Sequence, residues 1–149
     1  MSQPASLVQQ LREITGAGVM ECKKALEDAA GNIEKAKQLI AERGLASVGK
    51  RADRETGAGL LKTYVHNNRI GVLLEIRAET DFVVRSDPFQ QLAQEVIMQI
   101  AAVESENVED LLKQLYIRDE SKTIDTLVKE VIAKVGENVR ITRFARFAL

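Results

Sequence analysis

The pair Asn67-Asn68 stands between two apolar runs, Leu60–Val65 and Ile70–Ala78, and this arrangement limits the fold more than any other feature of the chain. Asparagine tolerates the left-handed backbone that a tight two-strand turn requires, so the segment reads as a β-hairpin. In its second strand Val72, Leu74 and Ile76 fall on one face, and Ile70-Gly71-Val72-Leu73-Leu74-Glu75-Ile76 has the composition of a buried strand. An apolar sheet face needs a cover. Ser86-Asp87-Pro88 supplies a helix start, with Asp87 as N-cap and Pro88 at the first helical position. Phe89, Leu92, Ala93, Val96, Ile97 and Ile100 then form the stripe that lies on the sheet.

The rest of the second half follows the same pattern. A short helix is expected over about Val108–Gln114, after Asn107. Thr123 caps another, with Ile124, Leu127, Val128, Val131 and Ile132 inward and Gly136 at its end. Val139–Ala148 reads as the last strand. Residues 60–149 are therefore expected to be β-β-α-α-α-β, an α+β layer with helices on one face of a small, mostly antiparallel sheet.

Residues 1–44 read as three short helices. Leu7, Leu11 and Ile14 mark the first, and Gly16-Ala17-Gly18 stops it. Cys22, Ala25, Leu26 and Ala29 face inward on the second, from about Val19 to Ala30. Asn32 caps the third, whose Ile33, Ala36 and Ile40 share a face and which is expected to end at Gly44. Residues 45–59, with Lys50, Arg51, Asp53, Arg54 and Glu55, read as a charged, solvated connector.

Composition excludes several function classes. Of 149 residues, 45% are hydrophobic and 29% charged, with a formal charge of -1, so bulk charge does not suit the chain to nucleic acid. No apolar run is long enough to cross a membrane, and Met1-Ser2-Gln3-Pro4-Ala5-Ser6 lacks the pattern of a signal peptide. A cytoplasmic location follows as an expectation. The single Cys22 reads as a small buried hydrophobe, and with the single His66 it makes a Cys-His pair or a zinc site thinly supplied. Absent tryptophan and 4% aromatics disfavour base-stacking platforms. Thr15-Gly16-Ala17-Gly18 follows no strand and leads to no Gly-Lys-Ser/Thr, so it is not a phosphate loop. Glu21, Glu27 and Glu34 lie on exposed helix faces without the pairing of acid-base catalysts, and Lys23-Lys24 reads as a solvated helix face before a phosphate contact. No enzyme activity, catalytic residue, metal site or cofactor is expected.

Contact chemistry remains. Thr80-Asp81-Phe82-Val83 follows the buried strand directly. An aromatic ring there can wedge into a partner, and a carboxylate can compete for a cation or a backbone donor. The plainer alternative is a helix cap beside a core residue. Arg12, Met20 and Lys23 flank the first turn of the helical unit, where Met20 is too exposed for a core. Two patches on two modules suggest a protein that grips one partner in two places.

Leu11-Arg12-Glu13-Ile14-Thr15-Gly16-Ala17-Gly18-Val19-Met20-Glu21-Cys22-Lys23-Lys24-Ala25-Leu26 closely resembles the N-terminal signature of the elongation factor Ts family. Glu79-Thr80-Asp81-Phe82-Val83 is similar to that family's second signature, and Lys134-Val135-Gly136-Glu137-Asn138-Val139-Arg140-Ile141 to its third. The three lie in family order and span nearly the whole chain. The resemblance implies a guanine-nucleotide exchange factor in translation elongation that binds elongation factor Tu·GDP. It implies a ubiquitin-associated-like three-helix module over residues 1–44, docked on the partner through Arg12, Val19, Met20 and Lys23. It also implies that Asp81 and Phe82 enter the partner near its magnesium site, with Thr80 and Val83 shaping the approach. Glu21 stands where the family often has aspartate. Long members carry two related sheet subdomains, a helical hairpin insertion and a C-terminal tail. This chain resembles the short form, in which two chains can supply what one long chain does, so residues 60–149 are expected to pair as a homodimer through the sheet layer. The alternatives are a ubiquitin-associated-like binding module fused to an α+β dimerisation domain without exchange activity, a small nucleotide-directed enzyme, and a purely structural dimerisation protein. The first leaves the second and third signatures unexplained, the enzyme lacks its chemical groups, and the last leaves Asp81-Phe82 without a purpose.

Overall fold

The computed structural model describes residues 4–149. Met1, Ser2 and Gln3, which open the stretch tested for a signal peptide, lie outside the described residues. The chain folds as two compact units that meet in sequence at Lys50/Arg51.

The first unit contains α1 (Ala5–Thr15), α2 (Val19–Asp28) and α3 (Ile33–Val48). Glycine ends α1: Gly16 takes φ 70°, and its N–H donates to Arg12 O at 2.8 Å. The turn after α2 runs through Ala30 and Gly31 at φ 52° and 81°, and Asn32 Oδ1 then accepts the Lys35 N–H at 2.9 Å to open α3. Leu11, Cys22, Ala25, Leu26 and Ala36 form a fully buried core, with Ile40 and Ala29 at its margin. An ion pair between Arg43 and Asp28 ties α3 to α2. Two expectations need correction. Ile14 does not join the core stripe, because its position at the end of α1 leaves it 47% exposed. Nor does α3 end at Gly44. A helical glycine costs about 1 kcal/mol, which is too little to stop a helix whose next turn buries Val48. The helix runs on to Val48 and a 3-10 turn over Gly49–Arg51.

The second unit is built on a three-stranded antiparallel sheet in the order β1-β2-β5, with β1 at Ala58–His66, β2 at Ile70–Ala78 and β5 at Val139–Ala148. Asn67 and Asn68 both take left-handed backbone (φ 50° and 57°), as a two-residue hairpin requires. Val72, Leu74 and Ile76 are buried beneath the sheet, opposite Phe89, Leu92, Ala93, Val96, Ile97 and Ile100 of α5 (Asp87–Ala102). Ser86, one residue earlier than expected, is the N-cap of α5, and Asp87 lies in its first turn. The Ser86 hydroxyl donates instead to Val83 O at 2.6 Å.

A one-turn helix, α4 (Asp81–Val84), joins β2 to α5. Beyond α5 come α6 (Val108–Lys113), a two-stranded ribbon of β3 (Leu115–Tyr116) and β4 (Asp119–Thr123), and α7 (Ile124–Val135). The ribbon adds two strands to the expected order. Gln99, fully buried on α5, anchors it. Its amide donates to Gln114 Oε1 and Leu115 O, both at 3.1 Å, and its Oε1 accepts the Ile117 N–H at 3.0 Å. Both its N–H donors and its oxygen have partners, which is what permits an amide in a core. Helices cover one sheet face. The register of β5 shifts at Thr142, because Glu75 faces Arg143 while Ile76 faces Ile141. This bulge keeps Ile141 inward and turns Arg143 outward. Among the described residues no helix is long and apolar enough to cross a membrane.

Candidate functional site

The central strand β2 delivers its last residues to one end of the sheet, where α4 makes a tip. Thr80 is the N-cap of this turn, with its Oγ1 accepting the Val83 N–H at 3.3 Å. Val83 and Val84 are 4% and 7% exposed and root the tip in the core. Asp81 points its carboxylate to solvent, and Phe82 leaves 79% of its surface exposed. The cap is therefore Thr80 and the core residues are Val83 and Val84. The plainer alternative named the right local structure but the wrong residues. A phenylalanine ring left this far in water gains little from folding, so burial elsewhere is its available source of free energy.

The third family-like stretch holds this tip. After α7, Gly136 turns the chain at φ 74° and brings Glu137 and Asn138 beneath the end of β2. The Thr80 N–H donates to Glu137 Oε1 at 3.0 Å and the Thr80 hydroxyl to Glu137 Oε2 at 2.8 Å. The Asn138 N–H donates to Glu79 Oε1 at 2.8 Å. The Asn138 amide, 3% exposed, donates to Ala52 O at 3.3 Å and Arg54 O at 2.9 Å. Arg54 lies 3.6 Å from Glu79. Glu137 and Asn138 stand in the sequence as part of a family-like stretch with no task assigned to either. Their partners lie 57 and 59 residues away, a pairing that no local pattern encodes.

In the first unit Arg12, Val19 and Lys23 line one shallow groove together with Val8, Glu13 and Ala17. Met20 does not line that groove and projects with 73% of its surface exposed, beside a 47%-exposed Val19. Thr80, Asp81, Phe82 and Val83 form the second set, in the second unit.

The sheet face opposite α5 carries exposed Leu61, Val65, Leu73 and Phe147. Near its middle Glu75 is nearly buried, and its two oxygens take Arg77 Nε and Arg143 Nε at 2.9 Å each. The hydrogen bond from Arg77, then that from Arg143, holds the Glu75 carboxyl below the usual carboxylate range. Burial pushes the Tyr116 hydroxyl up, and the nearby Glu95 adds to it. The Ser121 hydroxyl and N–H hold Asp119 down. None of these groups lies in the tip. No group of His, Cys, Asp and Glu among the described residues is arranged to hold a metal ion.

The model of the family described as elongation factor Ts matches residues 79–149, the stretch that contains the tip and its tether. An elongation factor Ts from Coprothermobacter proteolyticus is 40% identical over 195 aligned positions, covering 100% of this chain and 99% of that one. This chain belongs to the elongation factor Ts family. The elongation factor Ts of Thermosipho melanesiensis is 38% identical over 191 positions, covering 97% of each chain. That of a Nostoc species is 45% identical over 146 residues, which are 97% of this chain and 46% of that relative, so the present chain spans about half of it. The 195 positions of the Coprothermobacter alignment exceed the 149 residues here, so at least 46 positions of that relative have no counterpart in this chain.

Proposed function

We propose that this chain is a guanine-nucleotide exchange factor of translation elongation that binds elongation factor Tu·GDP and speeds GDP release by disturbing the partner's magnesium and phosphate site. The observation that carries the reading is the Asp81-Phe82 tip: an acid and an almost fully solvated ring on a rooted single turn, within the stretch matched by the family model. Asp81 would compete for the cation or for its ligands, and Phe82 would wedge beside the phosphate-binding backbone. Arg12, Val19, Met20 and Lys23 of the first unit would supply the second grip. No covalent bond changes in this process, so the role is not enzymatic in the chemical sense, and it requires neither a cofactor nor a nucleic acid or membrane partner. A cytoplasmic site of action fits it.

The energetics set what the tip must achieve. A nucleotide held at nanomolar affinity sits in a well of about 12 kcal/mol. A thousandfold faster release needs about 4 kcal/mol off the barrier. Burying one phenylalanine contributes about 1.5–3 kcal/mol, so the ring must act together with Asp81. Linkage then makes the effect reciprocal: bound GDP weakens the partner's hold on this chain by the factor that this chain weakens GDP. The exposed sheet face of Leu61, Val65, Leu73 and Phe147 supports pairing of two copies through residues 60–149.

The test is release of labelled GDP from elongation factor Tu with and without this chain. Acceleration by orders of magnitude is expected. Binding without acceleration would favour the alternative of a ubiquitin-associated-like binding module on a dimerising α+β domain.

A further inference from the structure

We infer that Glu137 is a positioning residue that aims the Asp81-Phe82 tip, an inference that rests on the exchange reading above. A helix of one turn does not hold itself together, because nucleation fixes several residues for a single hydrogen bond. Something outside α4 must fix Asp81–Val84: burial of Val83 and Val84 holds its second half, and Glu137 holds its start. The Glu137 carboxylate takes both donors of Thr80, the N–H at 3.0 Å and the hydroxyl at 2.8 Å. With its proton directed to Glu137, the Thr80 oxygen keeps its lone pairs toward the Val83 N–H, 3.3 Å away, and closes the turn. The carboxylate thus sets the rotamer of the cap as well as the position of its backbone. The next residue repeats the pattern, since the Asn138 N–H donates to Glu79. Two successive residues after α7 therefore grip the two residues that precede Asp81. Glu137 itself is a neighbour of the reacting surface and need not touch the partner to matter.

The prediction concerns rate more than affinity. In Glu137→Gln the charge is lost and the head-group atom that meets the Thr80 hydroxyl becomes a donor, so the hydroxyl must turn to accept from it and its lone pairs are drawn away from the Val83 N–H at constant shape. The experiment uses the full chain and has two readouts. In the first, amide hydrogen exchange of the free protein should show the Thr80 and Val83 amides exchanging at least tenfold faster in Glu137→Gln, with the core of α5 unchanged. In the second, titration against elongation factor Tu carrying labelled GDP should show the maximal release rate falling about tenfold, while the half-saturating concentration changes less than threefold. Asp81→Ala added to Glu137→Gln should then cost less than it does in the wild type. Thr80→Val, which removes only the hydroxyl, should show the same split and serves if Glu137→Gln folds poorly by circular dichroism. Wild-type amide protection in Glu137→Gln, an undiminished maximal rate, or strict additivity with Asp81→Ala would overturn the positioning role. A wild-type chain that does not accelerate GDP release would overturn the exchange reading instead and leave the amide result to judge the clamp.

Discussion

Replacing Phe82 by alanine should separate folding from function. The ring is 79% exposed, so truncating it removes little buried surface from the free protein. Substitutions of that kind usually change stability by no more than about 0.5 kcal/mol. Under the proposed wedge the same ring would pass from water to an apolar site, which is worth about 1.5–3 kcal/mol for a phenylalanine. Scaling by the fraction still available for burial leaves about 1.2–2.4 kcal/mol. At 1.36 kcal/mol per tenfold, GDP release catalysed by Phe82→Ala should be slower by a factor of about 8 to 60. Stopped-flow fluorescence with labelled GDP measures the rate, and urea unfolding measures the stability of the same sample. A loss of stability above about 1 kcal/mol would mean that the ring packs on its own fold. Release as fast as with the unaltered chain would remove Phe82 from the mechanism.

Other consequences are more local. Glu75 has a depressed folded-state pKa, so its contribution to stability is present above the unfolded value of about 4.5 and is lost as pH falls through the folded one. Acid titration monitored by circular dichroism should therefore show the difference between wild type and Glu75→Gln shrinking below about pH 4.5, and a constant difference would refute the clamp. Gly59→Ala should destabilise the second unit by about 1–3 kcal/mol in thermal or urea melts, because the new Cβ would lie 2.7 Å from Ile76 O and 2.8 Å from Arg77 Cγ. A neutral result would show that β1 shifts freely. If copies pair through the open sheet face, Phe147→Asp should convert a dimeric mass to a monomeric one by light scattering, and an unchanged mass would locate the pairing elsewhere.

The parts of this fold legible in the sequence are those where a local pattern and its burial agree. Asn67-Asn68 announced a turn that only left-handed residues make, and Val72, Leu74 and Ile76 alternate as a half-covered strand must. The stripe on α5 followed from its helical periodicity, and the span expected for the last strand, Val139–Ala148, matches β5. The β3-β4 ribbon is hidden because Asp119-Glu120-Ser121-Lys122-Thr123 carries no apolar alternation, and its partner strand and the turn after it are held at Leu115 and Ile117 by Gln99 from another element. Gly44 misled because a single glycine costs less than the burial gained one turn later. At the candidate site, Asp81-Phe82 could be picked out as a pair. Its exposure and the hydrogen bonds from the neighbouring Thr80 to Glu137 are tertiary facts, the latter made across 57 positions.

The bulge at Thr142 has a bearing on how this strand can vary. Up to Ile141 the odd-numbered side chains of β5 face the helices. From Arg143 onward the odd numbers face outward, and Phe144 and Arg146 take the inner side. Parity thus reverses midway: removal of that one threonine would leave a regular strand with every later side chain on its present surface, whereas an unbulged ladder that kept it would turn each of them over. An unbulged ladder through Thr142 would point Arg143 at the helices and Phe144 to the open face, so the extra residue is what keeps that charge out of the core.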